Sequence, residues 1–64
     1  MPDPDLIILS EPGAESVAYG VYRAFTAQGK IADFFTGSVE EGKKYVADKK
    51  SEVYLATKEG LKSL

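Results

Sequence analysis

The sequence predicts an α/β fold built as a β-α-β-α-β unit, and three observations lead to it. Residues 6–9 form a continuous apolar run, which is typical of a strand buried on both faces of a parallel sheet. Residues 31–36 form a second apolar stretch, and a turn at Gly37 leads from it into a helix that begins at Ser38. Residues 52–57 contain the β-branched and aromatic side chains that strands favour. Right-handed crossovers between these strands give a mostly parallel sheet.

The expected sheet has three strands in the spatial order 2-1-3, with one helix on each face. The first strand belongs at the centre because it is apolar on both faces. Asp33 interrupts the second strand, and a charge of this kind suits an edge strand, where it discourages aggregation. Two helices cannot cover both faces and both edges of such a sheet, so a homodimer is expected to bury the exposed strand edges and the uncovered apolar surface.

The segment from residue 14 to residue 28 decides between two folds. A helix here would carry on one broad arc the side chains of Ala14, Val17, Ala18, Val21, Tyr22, Ala24 and Phe25. Pro12 before the segment and Gly29 after it are typical helix boundaries. The alternative is a strand over residues 17–26 that pairs with residues 31–36. That pairing would give an α+β fold of order ββαβ with an antiparallel sheet.

The second helix is predicted from its ends. Ser38 and Glu41 form a capping box, Glu40 lies in the first turn, and Lys49 and Lys50 are expected in the last turn. Gly42 lies within the apolar stripe, where the missing side chain would let the helix approach the sheet closely.

The two ends of the chain carry weaker signals. Residues 58–64 are expected to form a turn or the start of another helix. The whole chain, residues 1–64, is expected to be one small domain, and its first five residues a flexible leader because they contain alternate prolines.

Composition excludes several functions. The 64 residues include no Cys and no His, so disulfides, zinc-type sites, thiolate nucleophiles and an imidazole base are all absent. We therefore expect no enzyme, no metal and no cofactor. A net charge of −2 disfavours nucleic acid as a partner. No apolar run is long enough for a membrane span, and the acidic, Pro-rich start differs from a signal peptide, so the sequence predicts a cytoplasmic protein without a membrane partner.

One motif resembles a phosphate-binding loop. Residues 37–43 match the spacing GxxxxGK between a predicted strand and a predicted helix. Lys44 stands where the magnesium-binding Ser or Thr would be, and Glu40 and Glu41 would repel a phosphate. A capped helix is the better interpretation.

Two groups of residues are candidates for a binding site. In open parallel sheets, ligands bind beyond the carboxyl ends of the strands, and the helix that starts there could hold a small anion. That edge would gather Ser10, Thr36, Gly37, Ser38 and Thr57. On the polar side of the first helix, Tyr19 and Arg23 are of the residue types enriched at interface hot spots.

The function that follows is a non-enzymatic protein-interaction or regulatory domain that binds another protein. The alternative is a small-ligand or anion-binding module that uses Ser10, Thr36, Gly37 and Ser38.

The chain also resembles the DsrE/DsrF-type sulfur-relay family. The similarity lies in the opening LIILSEPGAESVAYGVYRAFTAQGKIADFFTGS and the closing EVYLATKEGLKSL, which together cover about half of a typical family domain. The resemblance implies an α/β fold. Sulfur-carrying members use a Cys near the end of the late strand, where this chain has Ala56 and Thr57. Without a thiol, sulfur transfer is not expected.

Overall fold

The computed structural model describes residues 3–64, which form two helices and a four-stranded mixed sheet. Along the chain the elements are β1 (Leu6–Ser10), α1 (Glu15–Ala27), β2 (Ala32–Thr36), α2 (Val39–Val46), β3 (Glu52–Thr57) and β4 (Gly60–Ser63). In the sheet the strands follow the order β2-β1-β3-β4. β1 is parallel to both of its neighbours, whereas β3 and β4 are antiparallel.

The expectation of three strands is wrong, because residues after Thr57 turn back as a fourth strand. Gly60 has a φ of 130°, a value that L side chains rarely adopt, and it lies directly opposite Thr57 at the start of β4. The Thr57 hydroxyl donates to the Gly60 carbonyl and accepts from the Glu59 N–H, so it fixes the turn. Residues 58–64 are therefore neither an isolated turn nor the start of a helix.

The ambiguous segment is a helix. Ala14, just before α1, and Ala18 within it are buried, and Val17, Val21, Tyr22 and Phe25 pack against the core that contains Ala18. Ala24, expected on the same arc, is exposed. Gly29 follows the helix with a φ of 85° and donates its N–H to Thr26, which is the expected C-terminal boundary. The strand over residues 17–26 and the antiparallel ββαβ arrangement are thus wrong. The antiparallel pair of this sheet is β3 with β4 instead.

The two helices lie on opposite faces of the sheet. α1 packs on the face that carries Leu6 and Ile8, whereas Gly42 of α2 packs against Leu9. A Cβ on Gly42 would lie 2.9 Å from Leu9 Cδ1, so the predicted close approach is confirmed. Ser38 caps α2, accepting the Glu41 N–H at 3.2 Å as predicted.

The second helix ends earlier than the sequence suggested. α2 stops at Val46, so Lys49 and Lys50 do not belong to its last turn; Lys43 and Lys44 do. The Ala47 N–H already bonds to Lys44 in a tightened final turn. The Lys50 N–H is used elsewhere, by the carboxylate of Asp3 at 3.0 Å.

The start of the chain is joined to the sheet by hydrogen bonds. Met1 and Pro2 lie outside the described residues, so the expected leader can be followed only from Asp3 onward. Asp5 donates its N–H to the Ile31 carbonyl at 2.8 Å and accepts the Glu52 N–H at 3.2 Å. Its carboxylate also accepts the Ile31 N–H. Asp5 therefore joins the beginnings of three strands.

The core is thin and is dominated by one strand. All five residues of β1 are at most 2% exposed, and they include every large apolar side chain that is fully buried among residues 3–64. The remaining buried apolar residues are the small ones Ala14, Ala18 and Ala56. The prediction that the first strand is central and buried on both faces is confirmed.

Candidate functional site

The carboxyl edge of the strands, where a small ligand was predicted, brings its residues together but uses their polar groups internally. Ser10 lies beside Thr36 of β2 and Ala56 of β3 in the sheet register. The Ser10 hydroxyl is buried and donates to the Glu11 carbonyl at 3.1 Å. The buried Thr57 hydroxyl holds the β3–β4 turn.

The other predicted residues of that edge also have contacts that only stabilise the fold. Thr36 and Ser38 are exposed, and the Ser38 oxygen is the cap of α2. Gly37 lies beside the ring of Phe35 and the carboxylate of Glu41. A negative group at this position would repel an anion. The residues of this edge therefore form turns and a helix cap. Among the described residues, no buried side-chain polar atom there lacks a hydrogen-bond partner.

An open cavity lies at the opposite edge, beside the beginnings of the strands. It has a volume of about 390 Å³ and is lined by Asp5, Leu6, Phe25, Lys30, Lys50 and Glu52. The Lys30 ammonium lies 5.2 Å from the centre of the Phe25 ring. The Asp5 carboxylate already bonds to the Ile31 N–H. The cavity is thus lined by two acids and two lysines, and one of the acids, Asp5, is already used in a hydrogen bond within the fold.

Residues 3–64 contain no group of three or more acidic side chains that could hold a metal ion. Neither α1 nor α2 has the length and the apolar composition that crossing a bilayer requires.

The two interaction residues predicted on α1 do lie together. The Arg23 guanidinium is 5.8 Å from the centre of the Tyr19 ring, in a cation–π contact. Tyr19 is 55% exposed and Arg23 is exposed as well. Tyr19 also stacks on Tyr22, with ring centres 6.4 Å apart and planes 13° apart. We refer to Tyr19, Tyr22 and Arg23 as the Tyr19 surface.

The Tyr19 surface is continuous with the sheet. The Tyr22 ring meets Phe34 of β2 edge to face, at 6.3 Å and 87°. A row of rings therefore runs from the exposed side of α1 down to an edge strand of the sheet. Sequence reasoning found Tyr19 and Arg23 but not this row, because Phe34 is twelve residues from Tyr22 along the chain.

A second cluster lies on the other face of β2 and was not predicted. Tyr45 of α2 stacks on Phe35 at 5.0 Å, and its hydroxyl donates to the Asp33 carboxylate at 2.6 Å. The Lys49 ammonium lies 4.8 Å from the centre of the Tyr45 ring. The hydrogen bond and the negative charge of Asp33 raise the pKa of Tyr45 above its usual value of 10.0.

Asp33 also bonds along its own strand. Its other carboxylate oxygen accepts the Phe34 N–H at 2.9 Å. Asp33 is therefore held by Tyr45 on one side and covers a main-chain donor of β2 on the other. The only sequence signal for this arrangement was a charged residue in an apolar strand.

Comparison with known proteins gives no relative. No protein family matches this chain, and no curated protein and no solved structure is significantly similar to it. The resemblance to the DsrE/DsrF-type family is therefore neither supported nor refuted.

Proposed function

We propose that this chain is a non-enzymatic interaction domain that binds another protein through the Tyr19 surface. The observation that carries the proposal is the stacked set of Arg23, Tyr19 and Tyr22, which is exposed at one end and anchored on Phe34 at the other. Tyr and Arg are enriched at interface hot spots, and a Tyr ring that is held in place provides a large contact area at a low cost in conformational entropy.

The charge of this surface favours an acidic partner segment. Among residues 3–64, no carboxylate lies within ion-pairing distance of Arg23. Its planar guanidinium could therefore bind a carboxylate in a bidentate manner while it stays stacked on Tyr19. An aromatic or aliphatic side chain of the partner would lie against the exposed ring of Tyr19. We expect a short partner motif that combines an acidic residue with a large apolar one.

The chemistry of the chain favours binding over catalysis. It has no Cys and no His, and the hydroxyls of Ser10 and Thr57 are engaged inside the fold. The same hydrogen bonds weigh against an anion-binding module at that edge.

A displayed library of random peptides tests the proposal directly. Peptides selected on the intact chain should be enriched in acidic and large apolar residues. Their affinity should fall about 30-fold for Y19A, since truncation of a hot-spot side chain costs about 2 kcal/mol or more. R23A should have a similar effect. S16A, an exposed substitution on the same helix, serves as the matched control and should bind as the wild type does.

Two outcomes would contradict the proposal. One is a selection that enriches no sequence on the folded chain. The other is a set of peptides that bind Y19A and R23A as tightly as the wild type, because the recognition surface would then lie elsewhere.

A further inference from the structure

The outer edge of β2 has a hydrogen-bonding pattern that the register defines. Leu6 pairs with Ala32, and its N–H donates to the Ile31 carbonyl at 3.3 Å. The main-chain groups of Ile31 therefore face β1. Because successive residues of a strand direct these groups to opposite sides, those of Asp33 and Phe35 face β1 as well. Ala32, Phe34 and Thr36 therefore direct their N–H and C=O groups outward. We call these three residues the β2 edge.

We propose that the β2 edge pairs with the β2 edge of a second copy of this chain, antiparallel and centred on Phe34. This register is the one that pairs all three outward residues, with Phe34 opposite the partner's Phe34 and Ala32 opposite the partner's Thr36. The two sheets would join into one continuous sheet of eight strands. Each interface is the same patch on both subunits, as a two-fold axis requires.

The side chains fit this register. On one face, the two Phe34 rings would meet at the axis, each already packed on its own Tyr22. On the other face, Asp33 would lie directly opposite the partner's Phe35, and the two Asp33 residues would be diagonal neighbours about 7–8 Å apart, so no like charges lie directly opposite each other.

Ile31 provides a second argument. It is 61% exposed, more than any other large apolar side chain among residues 3–64. It precedes β2 on the same face as Asp33 and Phe35. If the register continues by one residue, Ile31 lies opposite the partner's Gly37, which has no side chain of its own, and next to the partner's Phe35, whose ring borders that glycine. The pairing would place the most exposed large apolar side chain beside an aromatic ring.

The other open edge is a poor alternative for a second copy. The Leu64 N–H donates to Val53 and Lys62 pairs with Leu55, so Lys62 faces β3 and the outward residues are Leu61 and Ser63. We call these two residues the β4 edge. Pairing both of them with a second copy would place Lys62 directly opposite the partner's Lys62. Like charges in that position are destabilising.

Asp33 controls the availability of the β2 edge. In the single chain its carboxylate accepts the Phe34 N–H, which is the donor at the centre of the proposed pairing. The Phe34 N–H would exchange this acceptor for the carbonyl of the partner's Phe34. The free edge is thereby covered until a second copy arrives, which protects it from unspecific strand addition.

Sedimentation over a concentration series tests the proposal. The wild type should show a monomer–dimer equilibrium, and I31K should raise the dissociation constant about tenfold or more, because a buried Ile side chain would be replaced by a charge. L64K is the matched control, since Leu64 is 49% exposed and lies by the β4 edge. It should leave the equilibrium unchanged. Both positions are exposed, so both variants should fold.

A wild-type chain that stays monomeric at about 1 mM would overturn the proposal, since even weak pairing of about −4 kcal/mol would be visible there. A dimer that L64K weakens as much as I31K would overturn it too. Neither result bears on the Tyr19 surface, which does not include Ile31.

Discussion

The two open edges of the sheet differ in how each is closed to other chains. At the β2 edge, an acidic side chain turns along its own strand and covers the central N–H, and aromatic rings flank both faces. At the β4 edge, the register that pairs Leu61 and Ser63 with a second copy would place the exposed Lys62 opposite the partner's Lys62. A carboxylate that accepts a hydrogen bond can be displaced by another acceptor, whereas the two Lys62 charges meet in the register that uses both outward residues of the β4 edge. We therefore expect a second copy to pair with the β2 edge more readily than with the β4 edge.

The largest difference between the edges is expected in their contribution to stability. F34A should lower the free energy of unfolding by about 2–3 kcal/mol, because it removes a half-buried ring that packs on Tyr22. L61A, at the other edge, should cost less than about 1 kcal/mol because Leu61 is exposed. Urea denaturation of both variants measures the two values. F34L, which keeps part of the packing, should fall between F34A and the wild type. Equal losses for F34A and L61A would remove the distinction.

The sequence predicted part of the fold on which this comparison depends. The apolar run Leu6–Leu9 predicted a central strand, and Asp33 indicated that the second strand lies at an edge. The fourth strand was missed because its turn, Lys58-Glu59, lacks the Asn-Gly or Asp-Gly pair that usually marks a tight hairpin. Its sequence is also too short and polar to alternate clearly.

The contact between Asp33 and Tyr45 could not have been derived from the sequence. Asp33 and Tyr45 are twelve residues apart and belong to different elements. Their contact depends on how α2 sits on the sheet, which Gly42 sets through its contact with Leu9. In contrast, Tyr19 and Arg23 are four residues apart on one helix, so their contact was predictable.

The position of α2 gives the next prediction. G42A would bring a methyl group within 2.9 Å of the buried Leu9 side chain and should destabilise the fold by about 1–2 kcal/mol despite the better helix propensity of Ala. G20A meets nothing within 4 Å on α1 and should stabilise it by about 0.5–1 kcal/mol.

Thermal unfolding of the two variants provides the measurement. Amide exchange should also show that G42A loosens β2 more than β4, since α2 lies over β1 and Tyr45 contacts β2. If G42A were as stabilising as G20A, the close packing of α2 on the sheet would be wrong.

Removing the carboxylate that covers the β2 edge should promote pairing. D33A leaves the Phe34 N–H without its acceptor, and the dimer should tighten about fivefold, the equivalent of one hydrogen bond of about 1 kcal/mol. Y45F removes only the hydroxyl that holds Asp33, so its effect should be smaller and in the same direction. Sedimentation of the two variants beside the wild type ranks them. A weaker dimer for D33A would mean that Asp33 contributes to the interface instead of covering it.

The smallest effect is expected from pH. Because the folded chain raises the pKa of Tyr45, the contribution of Tyr45 to stability is complete below the unfolded value of about 10. It is lost as the pH rises through the higher folded-state value. Unfolding measured from about pH 9 upward should therefore show a loss for the wild type that Y45F lacks. Amides of β2 should exchange faster than those of β4 over this range. The same pH dependence in Y45F would contradict the role of this hydroxyl.

Cross-linking at the β2 edge tests the central claim most directly, because the wild type has no Cys. The proposed register places Ala32 opposite the partner's Thr36, with Cα atoms about 5.5 Å apart, a separation that a disulfide can span. The double variant A32C/T36C should form a covalent dimer under mild oxidation. The matched double variant L61C/S63C at the β4 edge should remain a monomer. Faster cross-linking of L61C/S63C than of A32C/T36C, or a wild-type dimer that A32C/T36C fails to trap, would contradict pairing through β2.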